Sequence, residues 1–316
     1  MLVINPILGG IGNQLFQITA LLNLRRDADL KVDMTLFSTT FGVNESILKD
    51  IPLFRHIDFH RYSSWGRTTR RLAGLTLRFS NFQEKSKVYR LLFRVLYIVT
   101  EFSFSMRYEQ KVFLLCPSGT GFHSTDIPSQ AQCVVMLGYF QSHRYHDWDT
   151  FSKTDLNLQS EELRMKIQIW QPFESNIKPL IVHIRRGDYL INAHLGVLSV
   201  DYYLKNIPFA YEASGSNAIW VFSNENSVVS GYIPKNLHNV MRIFPSSSFS
   251  DLETLEVMKL GHAYLIANST FSWWAANLST AKAENIYVPE PWYARIPDPV
   301  QLSPDAWHNF SSIFES

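Results

Sequence analysis

The opening of the chain constrains the fold most: a short apolar run, a glycine cluster, then apolar residues at helical spacing. Residues 1–7 read as a buried strand, Gly9-Gly10-Ile11-Gly12 as a turn, and about 13–26 as a helix. On that helix Leu15, Ile18, Leu22 and Arg26 share one face, with Phe16 and Ala20 beside it. Residues 30–33 then read as a second strand. Strands joined through a helix run parallel, because the crossover returns the chain to its starting edge. After a basic helical stretch, 133–139 (CVVMLGY) reads as a further buried strand. The second half repeats the rhythm with strands at 180–185, 218–223, 263–267 and 285–288. Between them lie helices at 199–209, capped by Ser199 or Asp201, at 251–260, capped by Ser250 or Asp251, and at 270–278. The chain therefore reads as α/β with two Rossmann-like parallel-sheet domains, 1–150 and 151–316. They join near 145–175, where proline and charge rise as in a linker.

In open parallel sheets ligands sit beyond the carboxyl ends of the strands. Three polar clusters fall there: GGIGNQ after the first strand, HIRRGDY from 183, and NSTFSWW from 268. Two adjacent arginines leaving a buried strand are costly unless an anion or a carboxylate meets them. Side chains alternate along a strand, so Arg185 shares a face with His183 while Arg186 points the other way. A guanidinium matches phosphate bidentately, with charge-assisted bonds of ~1.5–3 kcal/mol each. The competing reading is an internal Arg–Asp ion pair that ties the turn at Gly187. Asn268 and Ser269 link a strand to a helix whose first turn holds Thr270, Phe271 and Ser272, where free backbone N–H groups can hold phosphate. Simple capping by Ser269 or Thr270, with Trp273 and Trp274 in the core, is the competing reading there. In the opening loop Gly10 and Gly12 let backbone approach a ligand, with Asn13 and Gln14 as polar tips. Gly10-x-Gly12-x-x-Leu15 lacks the third glycine of a dinucleotide fingerprint and no Walker lysine follows, so NAD and P-loop nucleotides fit poorly.

Two Asp-x-Asp matches, Asp27–Asp29 and Asp147–Asp149, lie away from the strand-end clusters and read as solvated. No Cys/His spacing suggests zinc, so no metal site is expected. Cys116 and Cys133 read as structural thiols of a reducing compartment. No basic leader precedes the first strand, no run of 18 apolar residues occurs, and the Asn-x-Ser/Thr sequons read as chance matches. The net charge of +1 hides an asymmetry: residues 61–112 hold eleven Lys and Arg against three Glu. The interleaved leucines there favour basic amphipathic helices. A solvated face and an anionic membrane surface both remain open for them, and nucleic acid fits least.

Taken together, GGIGNQLFQ at 9–17, GYFQS at 138–142, HIRRGDY at 183–189, VFSNE at 221–225 and NSTFSWWAANL at 268–278 resemble the α-1,2-fucosyltransferase family. The resemblance implies a GT-B fold, with two Rossmann-like domains facing across a cleft. It also implies inverting, metal-independent transfer of L-fucose from GDP-β-L-fucose to the 2-hydroxyl of a galactoside. No cofactor beyond the donor is implied, and the acceptor would be a galactose-terminated glycan, free or lipid-linked. The first domain would take the acceptor and the second the GDP-sugar. A protein without a leader or span would work in the cytoplasm, including as a peripheral protein on the inner membrane face. By the same resemblance Arg185 holds the β-phosphate, and His183 sits beside the nucleotide. Asn268, Ser269, Thr270 and Phe271 line the pyrophosphate or base, and Asn13 faces the reacting sugar. The family often carries an acidic pair after Phe-Ser, where this chain has Asn224-Glu225; these two, with Gly10, Gly12, Arg186 and Ser272, complete the donor-binding candidates. Asp188 is the candidate base, with a turn or Arg186 partner as the alternative. Rival functions are a glycosyltransferase with another sugar nucleotide and a non-catalytic sugar-nucleotide or membrane-surface binding protein.

Overall fold

A computed structural model describes residues 1–24, 29–33, 51–52, 57–60, 66–81, 86–117, 119–123, 127–145, 156, 161–170, 176–245 and 247–315. Asp27, Ala28 and the whole of 147–149 lie outside the described residues, as do Arg61 and Lys85 of the basic stretch. The chain divides into two compact units. The first comprises 1–49, 53–151 and 297–303, and the second 50–52, 152–296 and 304–316.

In the first unit β1 (Leu2–Pro6), β2 (Asp29–Asp33), β3 (Asp58–His60), β4 (Val112–Leu115) and β5 (Cys133–Met136) form one sheet, ordered β3-β2-β1-β5-β4. All its pairings are parallel. Helix α1 (Ile11–Leu24) links β1 to β2. Helices α2 (Arg67–Ser80) and α3 (Lys87–Tyr108) carry the basic stretch and precede β4. Every residue of β5 is buried, as is expected of a parallel strand covered on both faces. Cys116 and Cys133 are buried and unpaired.

The second unit holds β6 (Pro179–Ile184), β7 (Ala218–Ser223), β8 (Met241–Phe244), β9 (Ala263–Leu265), β10 (Ile286–Glu290) and β11 (His308–Ser311). Their order is β11-β10-β9-β6-β7-β8, again all parallel. Counted from β6, this is the doubly wound order 3-2-1-4-5-6 of Rossmann sheets. Helix α4 is Glu161–Trp170, α5 Val200–Ala213, α6 Asp251–Met258 and α7 Thr270–Leu278. Ser199 caps α5 by accepting from the Tyr202 amide, and Ser250 caps α6 in a reciprocal capping box with Glu253. The two Rossmann-like parallel sheets expected from the sequence are thus both present. The supposed linker is in part helix: α4 occupies 161–170, buries Leu163, and is tied to α6 by Lys166 Nζ, 2.7 Å from Glu253 Oε1. Glu161 and Glu162 in its first turn suit a helix start, and Pro172 follows just beyond its end.

Candidate functional sites at the two switch points

A doubly wound sheet has a switch point, where neighbouring strands send their chains to opposite faces and leave a crevice at the carboxyl ends. In the second unit it lies between β6 and β9, which pair directly through Val182 and Leu265. HIRRGDY continues from β6 and NSTFSWW from β9, so strand order brings these two clusters side by side. Tyr189 joins them, its hydroxyl donating to the Asn268 carbonyl at 2.9 Å, and burial pushes that phenol up to about 12.

His183 and Arg185 face this junction. The His183 ring is buried, 6.1 Å from the Phe271 ring, and its carbonyl accepts from Tyr203 Oη at 2.9 Å. Burial, reinforced by the Arg185 charge, pushes His183 down to about 3, so the imidazole is neutral near pH 7. Its Nδ1 is buried with no partner among the described residues, and the same holds for Arg185 Nε. Arg185 Nη2 donates to Asp188 Oδ1 at 2.7 Å, and its guanidinium lies 5.5 Å from the Tyr189 ring centroid. The pair is therefore Arg185–Asp188, three residues apart, and the partner offered for Asp188 at Arg186 is not the one found.

Arg186 turns away, as strand alternation requires. Its Nε donates to Glu225 Oε2 at 2.9 Å and its Nη1 to Tyr232 Oη and Glu315 Oε1. Its backbone amide donates to Asn224 Oδ1 at 3.0 Å. Gly187, at φ +46°, admits the turn; a Cβ there would lie 2.1 Å from Asn224 Nδ2. Arg186, Asn224 and Glu225 thus form a brace beside the site, each occupied by the others. Tyr232 and Glu315 complete it, and neither carries any signal in a linear reading.

Asn268 is fully buried and donates through Nδ2 to the Leu195 and Gly196 carbonyls at 3.2 and 3.0 Å, leaving Oδ1 unpartnered among the described residues. Ser269 is the N-cap of α7, yet its side chain makes no capping hydrogen bond. Ser272 back-bonds to the Ser269 carbonyl at 3.1 Å, so its hydroxyl serves the helix. The first turn of α7 therefore presents N–H groups beside Arg185 and His183 without a Ser269 side-chain cap, an arrangement suited to a polyanion.

The first unit has its own switch point, between β1 and β5. The glycine turn follows β1, GYFQS follows β5, and Gln141 Nε2 donates to Asn13 Oδ1 at 2.8 Å across them. The turn depends on Gly9, at φ +75° with its missing Cβ facing Asn13. At Gly10 a Cβ would meet open space, so its backbone can be approached; Gly12 is buried within α1. Gln14 is no polar tip: it is buried and donates to the Gly9 carbonyl at 2.9 Å. Gln17 accepts from the Leu8 amide and donates to the Leu8 carbonyl. These two glutamines clamp the Leu8–Gly9 turn onto the helix that carries Asn13. Among the described residues no group of three His, Cys, Asp or Glu is placed to hold a metal ion.

Two doubly wound parallel sheets, each with polar clusters at its switch point, define a two-unit α/β protein with a candidate ligand site in each unit. The chain belongs to glycosyl transferase family 11, whose model matches residues 117–295, and this is the α-1,2-fucosyltransferase family its motifs resemble. Among curated relatives, it is 31% identical to the O-antigen biosynthesis glycosyltransferase WbnK of Escherichia coli over 42% of this chain and 45% of that one. It is 30% identical to an alpha-1,2-colitosyltransferase of Escherichia coli over 51% of this chain and 57% of that one. The matched region thus spans about half the length of these relatives. A solved glycosyl transferase family 9 protein from Veillonella parvula aligns over 100% of this chain and 88% of its own, at 10% identity and TM-score 0.48.

Proposed function

We propose that this chain transfers L-fucose from GDP-β-L-fucose to the 2-hydroxyl of a galactoside with inversion, without a divalent metal, in building a surface glycan. The observation that carries the reading is the family match over 117–295, which includes Arg185, His183 and the α7 N-terminus at one switch point.

The chemistry follows from charge. Cleaving the sugar–phosphate bond builds negative charge on the leaving diphosphate. Arg185 would meet the β-phosphate, and the α7 first turn would offer N–H groups fixed before reaction. Preorganised donors of this kind are typically worth ~10²–10³ in rate each. A neutral His183 suits a site beside the nucleotide, because it adds no second charge against Arg185. Phe271 offers a ring face close by. Asn13, oriented by Gln141, would hold the reacting sugar or the acceptor hydroxyl. Asp188 has two roles in this scheme: it aims the guanidinium of Arg185, and its second oxygen is the candidate acceptor of the hydroxyl proton. Arg186, Asn224 and Glu225 would act on the donor only by holding the turn.

The test is calorimetric titration with GDP, UDP and CMP, followed by turnover with GDP-fucose on a panel of galactosides. GDP binding well above the other two, and product that loses its fucose to an α-1,2-fucosidase, are expected; equal affinity for all three nucleotides would remove the guanine assignment. A second reading rests on the colitosyltransferase relative. Colitose is fucose without its 3-hydroxyl, so GDP-colitose in the same panel separates the two donors. A site that hydrogen-bonds the 3-hydroxyl rejects the deoxy sugar strongly, whereas an apolar one discriminates weakly. Work at the inner membrane face on a lipid-linked acceptor belongs to the same proposal. No helix among the described residues is long and apolar enough to cross a membrane.

A further inference from the structure

Helix α3 is apolar on two opposite faces, and only one of them is covered. Phe93, Thr100 and Phe104 are buried against the first unit, with Thr100 hydrogen-bonded to Thr76 of α2. On the other side Val88, Leu91, Val95, Ile98, Phe102 and Met106 stand 52 to 67% exposed. At 100° per residue these six fall within an arc of about 80°, diametrically opposite the buried stripe, and run about 27 Å along the helix. No polar residue between 88 and 106 shares that arc. An exposed stripe this long, on a helix anchored by its other face, is the mark of an interaction surface and not of scattered surface leucines.

The charges beside it choose the occupant. Lys87 and Arg94 border the stripe, within about 40° of its edge, Arg90 and Arg107 lie further round α3, and Arg71 and Arg78 stand on the neighbouring α2. All six are exposed, and none has an ion-pair partner among the described residues. Helix α2 has no acidic residue, and the one acid within α3, Glu101, accepts from the Leu114 amide on the covered side. We infer that α3 lies on an anionic lipid bilayer, its apolar stripe in the headgroup–acyl boundary and its arginines on the phosphates. A second copy of this chain is a poorer occupant, because a two-fold contact would face one cationic rim with another. Spanning is excluded for α3 by its own charges. The face is preformed by the packing of Phe93 and Phe104, so binding requires no coupled folding.

The inference concerns binding alone and is read without turnover, so it stands or falls separately from the donor assignment. Flotation with phosphatidylglycerol–phosphatidylcholine vesicles at low salt should capture the protein. Phosphatidylcholine vesicles should capture far less, and ~0.5 M salt should release it. Leu91→Ser with Phe102→Ser, and separately Arg71→Glu with Arg94→Glu, should each lower vesicle binding by at least ~10-fold. Both pairs are solvent-exposed, so an unchanged melting temperature checks that the fold is kept. Absence of wild-type flotation on the mixed vesicles would overturn the inference. So would a concentration-dependent dimer in sedimentation that the Leu91/Phe102 pair abolishes while vesicles remain unbound; the stripe would then join two copies.

Discussion

Replacing Arg185 separates a ligand-binding arginine from a structural one, because its structural value is small and calculable. Among the described residues it makes one ion pair, to Asp188, with the two side chains 25% and 39% exposed, and one cation–π contact, to Tyr189. An ion pair with that exposure is worth ~0.2–1 kcal/mol, and the ring contact about 0.5–1 kcal/mol. Arg185→Ala should therefore cost at most about 2 kcal/mol of stability, a melting shift of no more than ~8 °C for a unit of this size. The functional loss should be larger. A bidentate guanidinium–phosphate contact supplies two charge-assisted bonds of ~1.5–3 kcal/mol each. Arg185→Lys keeps the charge and loses the fork, so kcat/KM should fall by at least ~10²-fold, or about 2.7 kcal/mol. Arg185→Ala should fall further and weaken GDP binding by a similar factor. The decisive assay is calorimetric titration of GDP into folded Arg185→Ala protein. Wild-type affinity there would mean that the arginine only ties its own turn, and the donor site would have to be sought elsewhere.

Asp188→Asn tests the two roles given to that carboxylate: a base should leave GDP affinity unchanged while turnover drops ~10²-fold or more, whereas a group that only aims Arg185 should weaken GDP binding as well. Arg186→Ala should lower the melting temperature by ~3–6 °C, because Glu225 and Glu315 lose their partner, while GDP affinity changes less than about threefold; a large loss of affinity in a stable variant would return Arg186 to the donor site. His183 is depressed in the folded state, so the unfolded chain binds its proton first. Its contribution to stability is fully present above about pH 6.5 and is lost as pH falls toward about 3. Melting curves at successive pH values should show a steeper acid slope for wild type than for His183→Gln, and equal slopes would contradict the buried neutral imidazole. Activity in excess EDTA should stay near the untreated level; a loss restored by Mn²⁺ would bring Asp147 and Asp149 back as ligands.

The switch points show how far a linear reading reaches. Apolar runs ending in GGIGNQ, HIRRGDY and NSTFSWW are visible in the chain, and so is the alternation that sends Arg185 and Arg186 to opposite faces. Strand order is not, because β6 and β9 pair across nearly eighty intervening residues that say nothing of which edge the chain returns to. The short strands β3, β8 and β11 escape detection for a related reason: three or four residues such as MRIF or HNFS hold too few alternations to declare a period. Polar residues are legible only as polar. Gln14 looks like a polar tip and proves, with Gln17, to be a buried clamp, since the value of both depends on carbonyls at Gly9 and Leu8 that only the folded turn presents. The two arginines carry the sharpest case. Both are charged groups at one strand end, yet Arg186 meets two carboxylates, Glu225 and Glu315, and the Tyr232 hydroxyl, from 39, 129 and 46 residues away, while Arg185 keeps a buried Nε without a partner among the described residues. An unmet buried donor costs ~1–3 kcal/mol, and the fold sets two carboxylates on one arginine but only Asp188 on its neighbour. That inequality between adjacent, chemically identical side chains favours a ligand at Arg185, because a bound phosphate would satisfy its Nε, whereas the charge of Arg186 is already met by two carboxylates.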